Sequence, residues 1–228
     1  MSVSFNANIP QVIGANTDAK ARLGPDGSIY TTSQLLSWAA RGYVYMAGNG
    51  AEETALDSMD GLTDIDPLIA LVAPSSPSKI VIPLYATLSM TGDGGALSNI
   101  KVCVTKKAED CATAASFSGT ALDYQNALTN HVGKGEDAAA QCLHTVTSLA
   151  LTTADYIGLE TIHAIDAVLT SGLPTVGGAG NVYKFAPSFP ILLAEGAALL
   201  FYVYTATTDS TWCPFVVWAE VPSNELIF

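Results

Sequence analysis

The side chains best suited to chemistry crowd between residues 52 and 66, where Glu52, Glu53, Asp57, Asp60, Asp64 and Asp66 share one polar segment. Calcium, a hard ion, is held by several oxygen ligands from loops of this kind. An EF-hand repeats its acids at alternate positions, but here Asp57-Ser58-Met59-Asp60-Gly61 falls one residue out of step. The segment therefore reads first as a solvated acidic loop, with Asp57, Asp60, Asp64 and Asp66 as weak calcium candidates. Three histidines, His131, His144 and His163, lie too far apart to form a metal pair on one helix face. His144 and His163 can meet only if their strands pair. His163 lies on an apolar face and reads as a core or interface histidine, with metal binding or a pH switch as the alternative. Cys103, Cys111, Cys142 and Cys213 include no CxxC pair, so no zinc site is expected. Cys103 and Cys213 fall within strands like small hydrophobes. In a cytosol the thiols are expected to be reduced; Cys103 and Cys111 could flank a hairpin and bridge only if the chain meets an oxidising medium.

Covalent catalysis finds no support. Ser76-Pro77-Ser78-Lys79 has the S-x-x-K form of serine acyl-enzymes, but that chemistry needs the lysine one helical turn from the serine. Pro74 and Pro77 break any helix there. Gly177-Gly178-Ala179-Gly180 lacks the Gly-Lys-Ser/Thr ending of a phosphate loop. The chain is read as a non-enzyme without a cofactor. Its remaining functional material is aromatic: Tyr202, Tyr204, Trp212 and Trp218 cluster near the C-terminus. Trp218 and Glu220 share one face of a strand, opposite Phe215, Val217 and Ala219. A Trp-bearing face turned away from the core would meet a neighbouring subunit or solvent, and the subunit is favoured. Trp218, Tyr202 and Tyr204 are thus expected at a subunit interface, with Trp38 and Tyr43 anchoring an N-terminal arm.

The elements that must position these residues are strands. Residues 189–222 read as three consecutive strands, joined by Glu195-Gly196 and by residues 207–210, and apolar enough to demand burial on both faces. Residues 80–90 alternate cleanly, with Ile80, Ile82, Leu84, Ala86, Leu88 and Met90 on one side and Thr87 and Ser89 among the other. Pro83 cannot donate to a ladder, which places it at an edge or a bulge. Residues 92–95 read as a turn, with 100–105 returning as a hairpin partner. Residues 156–170 alternate again, with a bend expected near His163. Shorter strands are expected at 43–46, 67–73 and 182–185. Residues 33–40 read as a short helix with Leu35, Leu36 and Ala39 on one face, ended by Gly42. Residues 106–141 form a long excursion, with a short helix expected near 121–128. The sum is an all-β sandwich or jelly roll of about eight to ten strands. It comprises an arm with a short helix (1–42) and a sandwich domain (43–228).

Composition narrows the partners. Of 228 residues, 49% are hydrophobic and only 13% charged, so the core is ample and the surface thinly charged. The net charge of -12, with scattered basic residues, argues against nucleic acid and acidic membranes. No run is long and apolar enough for a membrane helix, and the N-terminus lacks the pattern of a secretion signal. Synthesis in a cytosol is expected.

Two stretches carry a resemblance. One is residues 77 and 80–84 (Pro, then Ile-Val-Ile-Pro-Leu). The other runs from Pro190 to Leu193 through Glu195-Gly196 and 199–204 to Trp218-Ala219-Glu220-Val221-Pro222. Together they resemble jelly-roll structural proteins of bacteriophage particles, namely head decoration (cement) or single-jelly-roll capsid proteins. The resemblance implies an antiparallel jelly-roll sandwich. It also implies a homotrimer that contacts other capsid proteins in the virion after assembly in the host cytoplasm. The near absence of basic residues in 1–40 fits an outer position better than one against the genome. The alternative is a phage tail, fibre or lectin-like module that holds a glycan with the 106–141 excursion and Trp212.

Overall fold

Two antiparallel sheets pack face to face in a β-sandwich. The computed structural model describes residues 34–49, 55–62, 66–92, 98–111, 117–127, 137–147, 151–165, 182–205 and 210–226. The first sheet runs β11 (Val182–Phe185), β5 (Lys79–Gly92), β13 (Thr211–Pro222), β1 (Val44–Gly48) and β8 (Tyr124–Asn126), with β2 (Leu56–Asp57) added to β13. The second runs β10 (Tyr156–Ile165), β6 (Ser98–Thr105), β12 (Ala198–Thr205), β4 (Ile69–Val72), β9 (Gln141–Thr147) and β7 (Ser118–Ala121). The short β3 (Met59–Asp60) joins β12 in parallel.

The central strands are buried on both sides, as their composition demands. Along β12, Leu199, Phe201 and Val203 enter the core between the sheets, while Ala198, Leu200 and Tyr202 join a second cluster. That cluster also holds Ala70, Cys103 and Tyr156. Aromatic pairs tie the main core together. Tyr45 stacks on its cross-strand neighbour Trp218 (centroids 5.9 Å apart), and Phe185 meets Phe201 edge-on, joining the two sheets. At one flank the Tyr183 hydroxyl donates to the Glu160 carboxylate, linking edge strands β11 and β10.

A bulge redirects the longest strand. Val217 pairs with Tyr85 and Trp218 with Pro83, so Leu84 has no partner opposite it. Pro83 therefore sits at a bulge, as its missing N–H requires. The bulge reverses the parity of β5. Ala86, Leu88 and Met90 face the main core, but before the bulge Val81 does, and Ile82 joins an outer cluster with Val44, Ala219 and Val221. The single apolar face expected for residues 80–90 is thus two faces.

Helix α1 (Gln34–Ala40) packs Trp38 and Ala39 against that outer cluster. Leu35 and Leu36 are exposed, which corrects the face expected from spacing. Gly42, at φ 77°, ends the helix in the left-handed conformation, its amide bonded to the Ala39 carbonyl.

Other expectations change as well. Strands β5 and β6 do not form a hairpin; the chain crosses from one sheet to the other between them. The C-terminal region holds two long strands rather than three, because 190–193 contributes only an isolated bridge from Leu193 to Val81. Residues 118–126 form β7 and β8 in place of the expected helix. Strand β10 shows register shifts between Gly158 and Glu160 and between Ile162 and Ile165, the second beside His163.

Candidate functional site

The outer face of the first sheet divides at the bulge. On one side, α1 covers apolar residues. On the other lies an open cleft of about 1030 Å³. Period-two alternation builds its floor: with Leu88 and Met90 committed to the core, Thr87, Ser89 and Thr91 must point outward. The same rule on β13 buries Trp212 and Val216 and turns out Cys213 and Phe215. Phe215 crosses to Gly48 on β1, where a side chain would come within 3.2 Å of the Phe215 ring. Glycine at that position gives the ring its seat.

The excursion after β6 supplies the wall. Residues 121–125 run along the cleft, and β8 pairs with β1 through Tyr45 to Ala47. The Gly48 amide also bonds the Asp123 carbonyl at 3.4 Å. Tyr124 is 42% exposed and Phe215 37%; Phe215 lies on the floor, whereas Tyr124, opposite Ala47, turns its ring toward Tyr45 at the rim. Gln125, Asn49 and Asp123 add amide and carboxylate groups, and His144 reaches the cleft from β9. The His144 Nδ1 lies 2.9 Å from the Thr145 hydroxyl. Partial burial lowers the pKa of its imidazole, which favours the neutral ring at neutral pH. No lysine or arginine is among the described lining residues.

The residues singled out in the sequence lie elsewhere. Trp218 and Tyr202 are fully buried within the chain and Tyr204 is half-buried against the second cluster. The face bearing Trp218 is the core face, so Trp218 and Tyr202 are core residues and present no surface to a neighbour. Trp212 is also fully buried, its indole donating to Ser210 Oγ at 2.7 Å, and cannot serve as a stacking platform. Trp38 and Tyr43 are half-buried, and they fasten α1 to the body rather than offering an exposed face. The Tyr43 hydroxyl donates to Glu225 at 2.9 Å, and Arg41 pairs with the same carboxylate at 2.7 Å. Residues 1–33, most of the expected arm, lie outside the described residues.

The acidic candidates separate. Asp57 and Asp60 are exposed on β2 and β3, which join different sheets, and Asp66 is half-buried. Asp64, Glu52 and Glu53 lie outside the described residues. Among the described residues no three histidine, cysteine or acidic side chains are placed to hold a metal ion. His144 and His163 sit on β9 and β10, with β4, β12 and β6 between them, so the sheet does not bring them together. His131 and the His163 side chain lie outside the described set. None of the four cysteines is in a disulfide, Cys103 and Cys111 included. Burial pushes the Cys142 thiol up to about 12.

One buried acid had no advance signal beyond its strand face. Glu220 points inward from β13, where its carboxylate accepts the Ala139 and Ala140 amides and the Trp218 indole. It thereby pins the end of the excursion, just before β9, onto the first sheet. Among the described residues, no helix is long and apolar enough to cross a membrane. Neither a scan against protein-family models nor a search of curated proteins finds a match for this chain.

Proposed function

We propose that this chain is a jelly-roll structural subunit of a viral particle, a head decoration or capsid protein that works as a homotrimer. The strand order supports the jelly-roll reading. Strands β1-β13-β5-β11 face β4-β12-β6-β10, so the last two strands each insert between two earlier ones. That interleaving is what two nested Greek keys produce. Strands β7, β8 and β9 are then insertions between the fourth and fifth strands of the roll. Fold alone does not assign function.

The observation that carries the assembly reading is one flank of the sandwich. Among the described residues both sheets end there, at β10 and β11, and both strands expose apolar side chains: Ile157 at 66%, Val182 at 42% and Ile162 at 37%. Exposed edges with such residues invite association unless something covers them. The two register shifts in β10 blunt it as a template for strand addition. Contact with a sister subunit would therefore run through side chains, burying on the order of 2,000 Å² in a lasting assembly. The thinly charged surface fits such packing.

Light scattering on the purified chain tests this reading. A trimer that persists on dilution, and that Ile157→Asp with Val182→Asp converts to monomer, is the expected result. A parent protein that is monomeric at high concentration and stays so in the presence of assembled shells would refute it.

A further inference from the structure

We propose that the cleft on the outer face of the first sheet is a binding site for an uncharged oligosaccharide. The inference stands apart from the assembly reading, because the cleft and the β10–β11 flank use different strands.

Shape comes first. The cleft's 1030 Å³ lies at the upper end of the range for small-molecule sites, about 300–1,000 Å³. It lies open rather than enclosed, which leaves room for a chain of several linked units. The floor is the face of the sheet, so its backbone groups are already paired in the ladders of β1, β13 and β5. The floor strands β1, β13 and β5 are each paired on both sides, so a peptide adding a strand would use the outer edge of β8 rather than this floor.

Chemistry comes second. A saccharide presents both C–H faces and hydroxyls, and needs apolar rings next to groups that donate and accept. Phe215 on the floor supplies an exposed ring, while Tyr124, opposite core-facing Ala47, lines the rim with its ring turned toward Tyr45. Thr87 and Ser89 supply hydroxyls two residues apart on β5, while Gln125 and Asn49 supply amides. The Phe215 ring is set by its close approach to Gly48. A ring fixed before binding loses little conformational entropy when a ligand stacks on it.

Charge comes third and excludes the main rivals. The described lining carries Asp123 and no lysine or arginine, within a chain of net charge -12. Phosphorylated, sulfated or sialylated ligands would meet repulsion without a compensating cation. Nucleic acid is disfavoured for the same reason.

The test is a glycan array holding neutral and anionic oligosaccharides, probed with the full chain, followed by titration calorimetry with the neutral hexasaccharides that bind. At least one neutral oligosaccharide is expected to bind, with anionic analogues of the same backbone weaker. Phe215→Ala should weaken binding by about tenfold, the loss expected for removing one stacked ring. Ser89→Arg, which fills the floor beside Phe215 while keeping the ring in place, guards against a folding defect in the ring variant and should abolish binding while the melting temperature holds. Three results would each overturn the proposal: no neutral glycan bound at millimolar concentration, a preference for anionic glycans, or binding that survives Ser89→Arg.

Discussion

Replacing Glu220 by alanine tests how the excursion is held to the sandwich. The Glu220 side chain is wholly buried, and its Oε2 accepts the Ala139 amide at 2.8 Å. Its Oε1 accepts the Ala140 amide at 2.9 Å and the Trp218 indole N–H at 3.1 Å. The Lys79 ammonium stands 3.7 Å from Oε2. Glu220→Ala strips the acceptor from three donors at once. Each buried donor left unsatisfied costs about 1–3 kcal/mol. Water entering the vacated space relieves part of this, which puts the loss at about 3–5 kcal/mol, the usual range for breaking one side of a buried charged pair. Glu220→Gln keeps one oxygen but presents an N–H where the other stood, opposing an amide or the lysine. It should cost about 2 kcal/mol. Urea unfolding at neutral pH measures both, and amide hydrogen exchange localises the effect. The Ala139 and Ala140 amides should lose protection in the alanine variant before the core of β12 does. An alanine variant within about 1 kcal/mol of the parent, with both amides still protected, would refute the reasoning.

Two further outcomes follow from burial. Trp218→Ala empties a fully buried site stacked on Tyr45 and should lower stability by about 3–5 kcal/mol in urea unfolding. Because the side chain does not reach the surface, any folded fraction should keep the parent's oligomeric state by light scattering. His144 titrates with a lowered pKa in the folded chain because burial disfavours its charged form. The unfolded chain then binds the proton first, so stability rises with pH across the window between the two pKa values. Its contribution is whole above the unfolded histidine pKa and is lost as pH falls through it toward the folded value. Thermal melts from neutral to mildly acidic pH should show a shallower decline for His144→Gln than for the parent; identical slopes would dismiss the effect.

Much of the sandwich was legible along the chain because alternation is a local property of extended backbone. Residues 198–204 are apolar or aromatic at every turn of the pleat, a pattern that demands burial on both faces. Trp218 and Glu220 were correctly placed on one face of β13, and Thr87 and Ser89 on the polar side of β5, where they floor the cleft. The direction of each face was a different matter. Whether the Trp218 face looked inward or toward a neighbour depended on which sheet lay opposite, and nothing within β13 records that. The Leu84 bulge reversed the parity of β5 because its partner strand counts one residue fewer there.

The sequence by itself determined that this is an all-β chain with two-faced strands, a short helix stopped by Gly42, and a thinly charged acidic surface. Only the tertiary structure decided that β5 leaves β6 for the other sheet, that Glu220 closes over Ala139 and Ala140, and that Tyr124 and Phe215 flank one cleft. The first set follows from side-chain type and backbone period within a few residues. The second depends on segments far apart in sequence meeting across the fold, where total burial and hydrogen-bond satisfaction, rather than local preference, choose the partner.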